Sequence, residues 1–137
     1  MILEKSCGAV VYRIIEDKRF YLLLNYAAGH WDLSKGHVEA GESEKDTVLR
    51  ELAEETQITD AVFDEGFREE LSYSFSRGDE LVDKTVVFYL LETKTEDVVL
   101  SLEHRDFLWL DYINARDKLT YDNTKKILDK AKKHLTP

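Results

Sequence analysis

From Val86 to Leu91 the chain carries an unbroken apolar run, inside the segment KTVVFYLLE at 84–92. Side chains alternate between faces along a strand, so such a run is apolar on both faces. It reads as a central strand covered above and below. The rest of the fold has to supply a layer on each side of it.

The neighbouring segments provide those layers. KSCGAVVYRI at 5–14 and RFYLLLNY at 19–26 read as two strands joined by a turn at Glu16-Asp17-Lys18. A loop runs from Ala27 to Ser43, and four of the six glycines fall between Gly8 and Gly41. EKDTVLRELAEET at 44–56 reads as a helix with Ser43 as N-cap and acids in its first turn. Val48, Leu49, Leu52 and Thr56 form its expected core-facing stripe. A strand follows at 67–76, with Leu71, Tyr73 and Phe75 on one face, and then a turn at Arg77-Gly78-Asp79-Glu80. Shorter strands are expected at 97–102 and 106–110, and a final helix at 122–135 with Ile127, Leu128, Ala131 and Leu135 on its apolar side. Strands with a helix on each face give an α/β sandwich around a mixed sheet. The 137 residues suit one domain, 1–137.

Charge narrows the partners. The net charge is −9 and the pI about 4.9. A chain this acidic does not hold duplex nucleic acid by general attraction to phosphate. A polyanionic substrate would need locally placed cations or metal ions. No apolar run approaches the roughly 18–20 residues of a membrane helix, and the N-terminus lacks the layout of a secretory signal, so a cytoplasmic location is expected. The single cysteine, Cys7, can form no intramolecular disulfide and reads as a small buried apolar residue.

Both local cations and acids occur in GHVEAGESEKDTVLRELAEETQI, Gly36 to Ile58. Glu51, Glu54 and Glu55 are neighbours on the helix surface, next to the apolar stripe. Like charges at this spacing repel by roughly 0.2–0.5 kcal/mol per pair when exposed. A divalent cation reverses the sign of that energy. Magnesium prefers oxygen ligands and leaves room for waters and phosphates, so such a cluster suits metal-assisted phosphoryl chemistry. An acidic surface helix would look the same in isolation. The company distinguishes them: Arg50 stands four residues before Glu54, and Glu42 can reach back to Arg50 from the loop.

These residues match the Nudix box, G-x5-E-x7-R-E-U-x-E-E-x-G-U with U aliphatic, through Gly36, Glu42, Arg50, Glu51, Leu52, Glu54, Glu55 and Ile58. One specified position departs from it: Gln57 stands in place of glycine. That glycine would end the helix in a left-handed conformation, which Gln57 can adopt at about 1 kcal/mol. The chain resembles the Nudix hydrolases, and among them the asymmetric diadenosine tetraphosphate hydrolases. The subfamily likeness rests on Cys7-Gly8, His30-Trp31, Lys35-Gly36-His37, Glu65-Gly66-Phe67, Glu70-Leu71-Ser72-Tyr73, Lys84-Thr85-Val86, Leu102-Glu103-His104 and Trp109-Leu110. Ser34 stands where those hydrolases carry proline, which implies a less rigid loop.

The resemblance implies a Nudix-type α/β/α sandwich and magnesium-dependent hydrolysis of diadenosine tetraphosphate to AMP and ATP, with manganese as a substitute metal. Glu51, Glu54, Glu55 and, from outside the box, Glu103 would hold the metal. Glu54 or Glu55 would activate the water, and Arg50 would complete the catalytic set. Lys35, Gly36, His37 and Lys84 would bind the phosphate chain, with His30 beside them and Tyr73 as a platform for adenine. Plainer readings stand next to these: surface charge for Lys84, and packing for His30, Tyr73, Trp31 and Trp109. The expected partner is a small nucleotide substrate bound by a monomer, with no duplex nucleic acid and no membrane. Alternatives are a Nudix hydrolase of nucleoside triphosphates, capped RNA or diphosphoinositol polyphosphates, a nucleotide-binding domain without catalysis, and an acidic scaffold.

Overall fold

The run at 84–92 lies at the centre of the sheet. The computed structural model describes residues 1–136. Its strands are β1 (Ile2–Ile15), β2 (Lys18–Tyr26), β3 (Trp31–Asp32), β4 (Ser34–His37), β5 (Val62–Phe63), β6 (Glu69–Arg77), β7 (Glu80–Glu92) and β8 (His104–Leu110). Its helices are α1 (Glu44–Thr56), α2 (Tyr112–Lys118) and α3 (Asp122–Leu135). The eight strands form one mixed sheet in which β1 and β7 run parallel, and the other pairings are antiparallel.

Alternation along β7 divides the core as its sequence requires. Val87 and Leu91 face α1, packing with Cys7, Ala9, Val11, Val48, Leu52 and Ile58. Val86, Phe88 and Leu90 face α3, with Val10, Leu23, Ile127, Leu128 and Ala131. Each fully buried aliphatic or aromatic side chain contributes roughly 1.5–3 kcal/mol, so the six-residue run stabilises both layers at once. Cys7 is fully buried, as expected, and burial pushes its thiol up to about 11.

The hairpin between β1 and β2 turns on Glu16 and Asp17, at φ 51° and 67°. Two positive φ angles in a two-residue loop match the twist of the flanking strands. Helix α1 starts at a reciprocal cap: Ser43 Oγ accepts from the Asp46 amide, and Asp46 accepts from the Ser43 amide. It ends at Gln57, whose left-handed φ of 60° supplies what the family glycine would.

Three expectations change. Leu49 is 42% exposed, whereas Glu55 is 2% exposed. At 100° per residue Glu55 lies only roughly 20° from Val48 and Leu49 about 100° away, so the buried arc of α1 is centred on the carboxylate side. Segment 97–102 is not a strand. Its amides serve α1 instead: Val99 donates to Thr56 O and Ser101 to Glu55 O, meeting carbonyls that a helix end leaves unpaired. Ser34 is not in a loose loop. It is buried in β4, paired with Ala9. The short elements β3, β4, β5 and α2 come in addition to the expected ones. Of α2, only Ala115 is buried, so it carries too little apolar pattern to be read.

Candidate active site

The last turn of α1 holds Glu54 and Glu55 and no basic residue. The negative end of the helix dipole disfavours acids by roughly 0.3–1 kcal/mol each, so the site needs cations. One is built in. Arg50 donates from Nε to Glu42 Oε2 at 2.6 Å, and from Nη1 to Glu51 Oε1 at 2.8 Å and Glu54 Oε2 at 3.2 Å. Its Nη2 also donates to the carbonyl of His37 at 2.9 Å. The guanidinium thus ties the loop, β4 and two box glutamates together, as a planar fork can and an ammonium cannot. Hydrogen bonding to Arg50 holds the Glu42 carboxyl down at about 2.

Glu51 packs against β4 at Gly36, where a Cβ would collide with the Glu51 carboxylate. The box glycine is therefore required for close approach. Burial raises the Glu51 carboxyl against the pull of Arg50. Glu55 goes further. It lies almost fully buried, and burial pushes its carboxyl up to about 8. Ser34 donates to Glu55 Oε1 at 2.6 Å. His104 Nε2 stands 3.6 Å from Glu55 Oε2, and burial lowers the His104 imidazole. Glu103, exposed in the turn before β8, brings a further carboxylate within reach of Glu55 and His104.

Residues of β4 point alternately to the two sides of the sheet. Ser34 and Gly36 meet α1, while Lys35 turns the other way. There Lys35 pairs with buried Asp32 at 2.9 Å and lines a cleft of about 480 Å³ with His30, Tyr73, Phe88 and Tyr121. A cleft of this size suits a small ligand. His30 stacks on Tyr26 with ring centroids 4.7 Å apart, and Tyr26 also meets His104 edge-on at 4.4 Å. This aromatic column links the cleft to the carboxylates. Lys84 faces Tyr73 across the β6–β7 ladder, and its ammonium is lowered by burial and by Lys35. His37 has an exposed side chain and meets Arg50 through its carbonyl.

The candidates thus form two groups. Arg50, Glu51, Glu54, Glu55 and Glu103, with Gly36, build an acidic centre. His30, Lys35, Tyr73 and Lys84 gather at or beside the cleft. Sequence reasoning passed over Asp32, Ser34 and Tyr121. Asp32 stands three residues before Lys35, a spacing that hinted at the pair. Ser34 was visible only as a missing proline, and nothing local marks Tyr121 as a cleft residue.

A capped helix with an arginine-clasped carboxylate cluster, laid on a mixed sheet, defines a Nudix domain. The chain belongs to that family: the NUDIX domain pattern matches residues 6–131. It is 34% identical to the asymmetrical bis(5'-nucleosyl)-tetraphosphatase of Rattus norvegicus, over 96% of this chain and 95% of that one. It is 35% identical to the protein of that name from Caenorhabditis elegans, over 81% of each. The crystal structure of a C. elegans Ap4A hydrolase binary complex superposes with a TM-score of 0.86 and 32% identity, over 96% of this chain and 97% of that one.

Proposed function

We propose that this chain is a Nudix pyrophosphohydrolase that cleaves diadenosine tetraphosphate asymmetrically. One water is consumed, and AMP and ATP leave. The observation that carries the reading is the Arg50 clasp, which holds Glu42, Glu51 and Glu54 around buried Glu55 beside an aromatic cleft. The names of the relatives support the substrate.

The residues fit a divalent cation. Glu51, Glu54, Glu55 and Glu103 are hard oxygen donors at the negative end of a helix, with the single guanidinium of Arg50 among them. A bound cation, magnesium or its substitute manganese, supplies charge neutralisation at the phosphate oxygens. The chain does the rest. Arg50 fixes Glu51 and Glu54. Ser34 fixes one oxygen of Glu55. Glu54 or Glu55 accepts the proton of the attacking water. Lys35 and Lys84 hold the phosphate chain, with Gly36 and His37 on its path, and His30 and Tyr73 offer faces on which an adenine stacks.

Residues 1–137 act as a single domain and a monomer, on a small nucleotide rather than duplex nucleic acid, in the cytoplasm. Among the described residues no helix is long and apolar enough to cross a membrane. The test is product analysis with diadenosine tetraphosphate, with and without magnesium, alongside Glu54→Gln/Glu55→Gln. Magnesium-dependent release of AMP and ATP that the double variant abolishes is expected. Cleavage of nucleoside triphosphates or capped RNA without cleavage of diadenosine tetraphosphate would overturn the substrate. Silence on all of them would overturn catalysis.

A further inference from the structure

Glu55, Glu103 and His104 each offer a ligand-type atom, and the three atoms lie within 4.8 Å of one another. The histidine sets this group apart from the carboxylates of α1. Its side chain is 0% exposed, and its Nε2 has no hydrogen-bond partner. Nε2 lies 3.6 Å from Glu55 Oε2, beyond the range of an N–H···O bond. The other nitrogen, Nδ1, lies 3.2 Å from Ser101 Oγ. The ring is held edge-on against Tyr26 and sits where the β2–β8 register shifts.

A buried polar nitrogen without a partner is rare and unfavourable. This one stands beside the Glu55 carboxylate, with Glu103 in the same group. With Nδ1–H donated to Ser101, the lone pair of Nε2 faces Glu55 Oε2, an arrangement that repels once Glu55 is ionised unless a cation lies between them. The spacing suits one. Two donors about 2.1 Å from a shared ion are about 3.0 Å apart at right angles and about 3.4 Å apart at a tetrahedral angle. The observed 3.6 Å closes to that with a small side-chain shift. A ligating histidine also characteristically donates its second N–H to a fixed acceptor, the part Ser101 Oγ plays in that tautomer.

We propose that His104 Nε2 is a direct ligand of a divalent cation shared with Glu55 and Glu103, giving the acidic centre one nitrogen position. The proposal rests on the divalent-cation reading above and adds a metal preference to it. Imidazole suits transition metals, whereas carboxylate oxygens suit magnesium. The position shared with His104 therefore favours Co²⁺, and to a lesser degree Mn²⁺, over Mg²⁺, while the outer carboxylates of Glu51 and Glu54 do not discriminate in this way.

The experiment is electron spin echo envelope modulation on the full chain loaded with Mn²⁺, with equilibrium binding of Mn²⁺ and Mg²⁺ measured in parallel. Modulation from directly bound ¹⁴N is expected, replaced by the ¹⁵N pattern when histidine is ¹⁵N-labelled. His104→Gln should lose it and bind Mn²⁺ at least roughly tenfold more weakly, with a much smaller change for Mg²⁺. Because His104 is buried, a second variant protects the test from misfolding. In His30→Gln/His37→Gln/His134→Gln, which keeps His104 as the sole histidine, the modulation should persist. Bound Mn²⁺ with only oxygen ligands would overturn the proposal and leave the Nudix reading intact. So would modulation that survives in His104→Gln or disappears from the triple variant. If the wild-type protein binds no Mn²⁺, both readings fall together.

Discussion

Replacing Gln57 with glycine should make this protein more stable without touching its chemistry. Gln57 holds φ 60° and ψ 18° at the end of α1. It cannot relax, because buried Ile58 follows it and anchors the chain, and its own amide is bonded to Ala53 O at 2.9 Å. The Gln57 side chain is exposed. A left-handed conformation disfavours a residue with a Cβ by roughly 1–2 kcal/mol. Glycine removes that strain but gives the unfolded chain more freedom, which offsets roughly 0.4–1 kcal/mol. The net gain is about 0.5–1 kcal/mol, or a Tm rise of about 2–4 °C at this chain length. Urea unfolding and calorimetry of the metal-free protein would measure it, with Gln57→Val as the opposing control, since a β-branched residue tolerates positive φ least. The kcat of Gln57→Gly should equal that of the wild type, because the substitution removes no carboxylate or phosphate-binding group. If Gln57→Gly is no more stable than the wild type while Gln57→Val is no less stable, the reasoning about this helix end is wrong.

Three further outcomes follow from the site. Burial keeps the Glu55 carboxyl protonated up to about pH 8 in the folded, metal-free protein, whereas the unfolded chain releases that proton near 4.5. Between these values the folded state binds more protons, so stability should fall as pH rises from about 4.5 to about 8, by on the order of a few kcal/mol. Glu55→Gln should lack that fall, and parallel wild-type and variant urea curves at pH 5, 7 and 9 would refute the account. Ser34→Ala leaves Glu55 Oε1 without its hydroxyl, so kcat or metal affinity should drop roughly tenfold or more, read by steady-state kinetics and metal titration; unchanged values would show that Ser34 only packs. Arg50→Lys keeps the charge but loses the fork to Glu42, Glu51 and Glu54. It should lose about 1–3 kcal/mol of stability together with activity, and stability equal to wild type would mean that the clasp is not structural.

Much of this was legible because the relevant signals are local. Helix α1 runs over the residues its cap and apolar spacing predict, Glu44 to Thr56, and α3 likewise runs from Asp122 to Leu135. The reach of Glu42 to Arg50 followed from the box spacing, and the two-sided burial of β7 from its unbroken run. What stayed hidden depends on contacts between distant segments. Segment 97–102 has a strand-like composition, but its amides are taken by the end of α1. Leu49 and Glu55 exchange their expected environments because Ser34 and His104 surround Glu55, and neither is near it in sequence. The cleft joins Lys35 on β4 to Tyr121 before α3, and only the folded sheet brings those together.

The parallel ladder between β1 and β7 has a kinetic consequence. Ile2 faces Val82 and Tyr12 faces Glu92, so this ladder closes a loop of about eighty residues. Closing it demands entropy before any contact within it is rewarded, and non-local pairing of this kind slows folding. Lys35, Arg50, Glu51, Glu54 and Glu55 all lie inside that loop. On a ribosome, the central strand pair of the sheet closes only after β7 has emerged and found β1, so lesions in either strand should delay activity in refolding before they reduce it at equilibrium.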